Sequence, residues 1–162
     1  HIIPNTIIKA PAMGIDWLPT LVEFSGSKLP EKKIDGASLV PLLTGKASKS
    51  PHENFFFYYR TNELHAVRHK NWKLYLPHTY RSLNGRKGTN DGLPIPYEMN
   101  HLESPALFNL DTDPSEQKNI ANENPYLVAK INKIADSIRG VLGDSLKGVK
   151  GIEIRPVGRI DD

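Results

Sequence analysis

An α+β fold is predicted for these 162 residues by three features. Four short runs with strand preference lie between 55 and 110, and a helix with one apolar stripe follows from 125 to 139. Before both, the first 50 residues carry helical rather than alternating period. A four-stranded antiparallel sheet packed by the C-terminal helix would bury both apolar faces. Residues 1–50 read as the tail end of an α/β domain.

In chain order, Asp16 is placed to cap a helix over 17–24, with Pro19 tolerated in its first turn and Gly26 as its stop. Leu18, Leu21 and Val22 give it an apolar face. A lysine-rich link, 27–33, and the turn pair Asp35-Gly36 lead to a second short helix over 38–45. The polar stretch 46–53, broken at Pro51, marks a boundary, so the segments expected are 1–50, 51–143 and 144–162. Phe55-Phe56-Phe57-Tyr58-Tyr59 is the first strand. Strands 64–68 and 72–76 follow, joined as a hairpin through His69-Lys70-Asn71. Ala106-Leu107-Phe108-Asn109-Leu110 is the fourth. From 77 to 105 runs a loop rich in turn pairs (Asn84-Gly85, Lys87-Gly88, Asp91-Gly92), of a length that marks function or disorder. In the last helix Pro125 suits the first turn, and Leu127, Val128, Ile131, Ile134 and Ile138 fall three and four apart. The glycines and Pro156 after Gly143 predict an extended arm.

Composition narrows the function classes. A net charge of +3 is mild, and its bases are spread along the chain rather than set in one stripe, which argues against nucleic acid. No apolar run reaches the roughly 20 residues of a membrane span. The absence of cysteine removes thiol catalysis, disulfides and cysteine zinc sites. His65 and His69 have the spacing of a helical zinc pair but sit in a strand pattern without a third ligand, and read as ordinary histidines. Asp111-x-Asp113-Pro114-x-Glu116 lacks the glycine and spacing of a calcium loop and reads as a turn, with Asp113 capping it.

The long loop holds the candidate site. It carries His78, Arg81, Arg86, Lys87 and His101, with three cations to one anion between Pro77 and Gly92. Fixed donors of this kind suit sulfate, phosphate or carboxylate. The bland alternative is a solvated loop whose bases have no role. The chain shows no nucleophile elbow and no glycine-rich phosphate loop.

Four motifs resemble those of sulfatases, in the same order. Asp16-Trp17-Leu18-Pro19-Thr20-Leu21, followed by Gly26, is similar to the helix near the end of the family's catalytic domain. Ile34-Asp35-Gly36-x-Ser38-Leu39-x-Pro41-Leu42-Leu43-x-Gly45 resembles the segment after it. Ala66-Val67-Arg68-x-x-x-Trp72-Lys73-Leu74 resembles the "A-V-R … W-K" hairpin. Leu107-Phe108-Asn109-Leu110-x-x-Asp113-Pro114-x-Glu116-x-x-Asn119-Ile120-Ala121 resembles the "L-Y-D-L … D-P-x-E-x-x-N-L-A" signature.

The resemblance implies a C-terminal portion whose partner is a larger catalytic domain of the alkaline-phosphatase type. That domain would hold the formylglycine, made from a C/S-x-P-S-R motif, and the calcium; this chain has neither the motif nor a cysteine. The chain alone is therefore expected to be inactive. The parent would hydrolyse sulfate esters, on a sugar, a polysaccharide or an aryl group, in a periplasmic or secreted setting. His78 matches the histidine that the family sends toward the pocket after the "W-K" strand, and His101 is the second choice. The helix at 15–25 is expected to lack cover and to offer a surface for self-association. A stand-alone anion- or glycan-binding module and a phosphoesterase or phosphonate hydrolase are the competing readings.

Overall fold

A computed structural model describes residues 2–155, which divide between Glu53 and Asn54 into two compact units. In the first, a 3-10 turn at Gly14–Asp16 runs into α1 (Trp17–Ser25), which Gly26 ends in the left-handed conformation at φ 67°. The second helix, α2 (Val40–Leu43), is shorter than its sequence pattern, because Ser38 and Leu39 form its approach.

Asp16 does not cap α1 with its side chain. Fully buried, it accepts hydrogen bonds from the Met13 amide (2.8 Å), the Ala37 amide (3.0 Å) and His52 Nε2 (2.7 Å), which clamps three segments together. Thr20 extends the clamp, donating to the Asp16 carbonyl and accepting from the Leu39 amide. Gly36 is required by crowding rather than by turn geometry, since a Cβ there would overlap the Ile15 carbonyl oxygen. The expected apolar face of α1 is largely uncovered: Trp17, Leu18, Leu21 and Phe24 are exposed, while Pro19 and Thr20 are buried.

Burial pushes the Asp16 carboxyl up, but the Ala37 and Met13 amides and His52 outweigh it and hold the carboxyl below its usual range. Its stabilisation is therefore present above the unfolded value near 3.9 and is lost as pH falls through the lower folded value. Asp16→Ala should destabilise this unit by at least ~2 kcal/mol, from lost charge-assisted bonds. The check is amide exchange at Met13 and Ala37; unchanged protection at both would contradict the clamp.

The second unit contains the predicted sheet. Strands β1 (Asn54–Tyr59), β2 (Glu63–His69), β3 (Trp72–Tyr75) and β6 (Ala106–Asn109) lie in the order β1-β2-β3-β6, all antiparallel. Lys70, at φ 56°, turns the tight β2–β3 link. Helix α3 (Pro125–Leu142) covers one face, where Ile131 and Ala135 join Leu64, Val67, Leu74, Leu76 and Leu107 in the core. The register slips between Phe57 and Tyr58, which pair with Ala66 and Leu64, and leaves His65 as the extra residue of a β-bulge. The bulge explains how Leu64 and Val67, three apart, both enter the core, and it re-aims His65.

Two expectations change here. The stretch 77–105 is not a bare loop: β4 (His78–Ser82) and β5 (Glu98–Leu102) form a separate antiparallel hairpin. Nor does the chain trail off as an arm directly after Gly143. Residues 144–149 close a turn with a 3-10 piece at Ser145–Lys147, and Ile152 and Glu153 return their amides to the Gly140 and Val141 carbonyls. Gly151 packs so tightly on the Leu142–Gly143 backbone that a Cβ would collide with it. Pro156 and Gly158 lie outside the described residues.

Candidate functional site

The β4–β5 ladder sorts the candidate residues. His78 pairs with Leu102, Thr79 with His101, Tyr80 with Asn100 and Arg81 with Met99. Opposed residues share a face, so Arg81 and His101 lie together with Thr79 and Met99, while His78 lies on the other face with Tyr80 and Asn100. At the hairpin tip the Arg86 guanidinium is engaged by the Leu83 carbonyl (3.1 Å), the Pro96 carbonyl (2.6 Å) and Glu98 (3.4 Å). Arg81, Lys87 and His101 are exposed.

His78 is the buried member, 6% exposed at the root of the hairpin. Its Nδ1 lies 2.6 Å from the Leu76 carbonyl, which can only accept, so Nδ1 carries the proton. Its ring stacks on His65, centroids 3.9 Å apart and planes 28° off parallel. His65 Nε2 in turn donates to the Glu63 carboxylate at 2.8 Å. Tyr59, Tyr75 and Tyr80 ring the pair at 5.4 to 6.2 Å. Burial above all, then the charges of His65 and His101, lowers the His78 pKa below the ordinary imidazole range; the Leu76 carbonyl and Glu63 oppose this without reversing it. The hydrogen bond from His65 holds the Glu63 carboxyl low.

The involvement of His65 and Glu63 has no signal in the sequence, because it depends on the bulge. The other histidine of that pair, His69, meets Asn54 Oδ1 at 2.8 Å, so the two rings have separate partners.

The family described as the C-terminal region of aryl-sulfatase matches residues 50–149. The chain belongs to the sulfatase family. Curated relatives include human arylsulfatase D, 33% identical over 143 residues (82% of this chain, 24% of that protein). Mouse steryl-sulfatase is 34% identical over 129 residues (74% and 20%), and bovine arylsulfatase A 30% over 158 (95% and 28%). The chain thus spans about a quarter of the length of the curated relatives it matches. Among solved structures, one described by the metabolism of multiple glycosaminoglycans by Bacteroides thetaiotaomicron aligns at 25% identity and TM-score 0.55, covering 76% of this chain and 24% of the other. A 2-O GAG sulfatase shares the fold at 22% identity and TM-score 0.54, covering 83% and 26%.

In this sulfatase region the signature at 107–121 is a clamp rather than a metal loop. Asp113 accepts from the Gln117 and Lys118 amides. Glu116, held at φ 56°, reaches Lys73 Nζ and the Tyr75 hydroxyl, each at 2.7 Å. Asn119 Oδ1 accepts from the Leu107 and Ala121 amides at 3.0 Å. The acidic side chains point to different partners, and among the described residues no three His, Cys, Asp or Glu could hold one ion. The acidic side chains of this signature therefore do not fit the calcium that the resemblance implies for the parent. No helix of the described residues is long and apolar enough to cross a membrane.

Proposed function

We propose that this chain is part of an enzyme that hydrolyses sulfate esters, and that the β4–β5 hairpin is one rim of its substrate pocket. His78 is nearest the sulfate, with Arg81, Lys87 and His101 further out; Arg86 keeps the hairpin tip in shape. The observation that carries this reading is the His78 geometry. With Nδ1–H committed to the Leu76 carbonyl, Nε2 is the one ring nitrogen left for a ligand. On a neutral ring that atom presents a lone pair and repels a sulfate oxygen. On an imidazolium it presents a charge-assisted donor. The contact is therefore made by protonated His78.

The nucleophile, formylglycine and calcium belong, on this reading, to a catalytic domain outside this sequence. The exposed α1 residues Trp17, Leu18, Leu21 and Phe24 are the surface assigned to contact with that domain, with self-association as the alternative cover. A sugar or polysaccharide sulfate is the substrate class, supported by the glycosaminoglycan description of the structural relative. A periplasmic or secreted setting goes with it by family resemblance.

Exposed cations at a rim act weakly and are screened by salt. In the intact enzyme, Arg81→Ala and Lys87→Ala should each lower kcat/KM by about two- to fivefold at low ionic strength. The loss should fade at roughly 0.5 M salt. Steady-state kinetics at the two salt concentrations test this. No loss from either variant at low salt would make this rim ordinary surface.

A further inference from the structure

Glu63 and His65 are both on β2, and no substrate role has been assigned to them. Their arrangement with His78 is nonetheless closed. The Glu63 carboxylate holds His65 Nε2 at 2.8 Å, His65 stacks on His78 at 3.9 Å, and the Leu76 carbonyl holds His78 Nδ1 at 2.6 Å. Leu76 also donates its own amide to the His65 carbonyl at 2.8 Å, so both ends of the stack share one backbone bond. Both rings are nearly buried, at 8% and 6% exposure.

We infer that Glu63 and His65 are positioning residues for His78, a carboxylate-anchored wall that fixes its ring plane and admits one positive charge to the stack. The inference rests on the role proposed for His78. Two imidazoliums 3.9 Å apart would repel strongly. One imidazolium beside the Glu63 carboxylate makes a neutral set. Burial disfavours the charge on His78, so its ring stays neutral until the pH falls or an anion arrives at its Nε2. Tyr59 on β1, Tyr75 on β3 and Tyr80 on β4 face the pair. His101 on β5 adds a like charge when protonated. The device would give the pocket a sulfate donor that is charged mainly when sulfate is present.

The test is a 15N imidazole titration of the 162-residue chain. His65→Gln keeps a planar group in reach of Glu63 but removes the charge, and the His78 midpoint should rise by about half a pH unit or more. Its Nδ1–H tautomer should persist. Glu63→Gln removes the carboxylate charge that favours the imidazolium and should lower the His78 midpoint. His65→Ala removes the wall and should mix the His78 tautomers. A His78 midpoint and tautomer unchanged in all three variants would overturn the inference. The proposed substrate role is read separately, from kcat/KM of His78→Ala in the intact enzyme. A large loss there with unmoved midpoints would defeat only the positioning claim; moved midpoints with no loss would defeat only the substrate role.

Discussion

Replacing Asp144 with alanine is expected to cost about 3 to 5 kcal/mol, the largest single-residue loss in the sheet-and-helix unit. The carboxylate is fully buried. It accepts from the Leu64 amide (3.3 Å), the Leu146 amide (3.0 Å) and Arg139 Nε (2.8 Å). Burial alone would lower the Arg139 pKa, but Asp144 and Asp136 together raise it. A buried pair of this kind adds little over an apolar substitute, yet removing one member leaves the other charged and poorly solvated. The loss would also free the end of α3 and the turn after it, which are stitched to Tyr58 on β1 and to Asn62 in the β1–β2 loop. A domain is typically stable by only about 5 to 15 kcal/mol, so the variant should lie near the edge of folding. Urea unfolding of the chain and of Asp144→Ala measures this, and a difference below about 1 kcal/mol, the size of an ordinary surface change, would contradict it.

His78→Ala in the intact enzyme should lower kcat/KM about ten- to a hundredfold. A hydrogen bond from a charged donor is worth about 1.5 to 3 kcal/mol, and about 1.4 kcal/mol is a factor of ten. His101→Ala should cost less, because His101 is exposed and lies on the opposite face of the hairpin with Arg81. If His101→Ala produced the larger loss, the hairpin would keep its role with its faces exchanged.

What the sequence revealed and what it hid have separate physical causes. The four sheet strands and α3 were legible because each carries an apolar period, and their cover is the core around Leu64, Leu74 and Ile131. The β4–β5 hairpin was not. Its strands, His78–Ser82 and Glu98–Leu102, are mostly polar and form a two-stranded ladder, so no hydrophobic alternation announces them. The turn at 144–149 was hidden by the glycines in and around it, which read as looseness, although the flanking Gly143 and Gly151 permit close packing. Asp16 looked like a helix cap because the type and position were right, while its true partners, Ala37 and His52, are distant in sequence. In the candidate site, the basic residues could be found by type. Which face each occupies required the register, and the stack of His65 on His78 required a one-residue bulge that no pattern encodes.

The central claim is that protonated His78 donates to the sulfate. Its most direct test is the ratio of kcat/KM between wild type and His78→Ala, measured from about pH 5 to 8. This parameter reports the ionisations of the free enzyme. His78 titrates below the ordinary imidazole range, so the charged donor is abundant only on the acid side and disappears as pH rises. The ratio should therefore be greatest near pH 5 and fall toward one by pH 8. A ratio that is constant across the range, or that grows with pH, would contradict a role for the imidazolium.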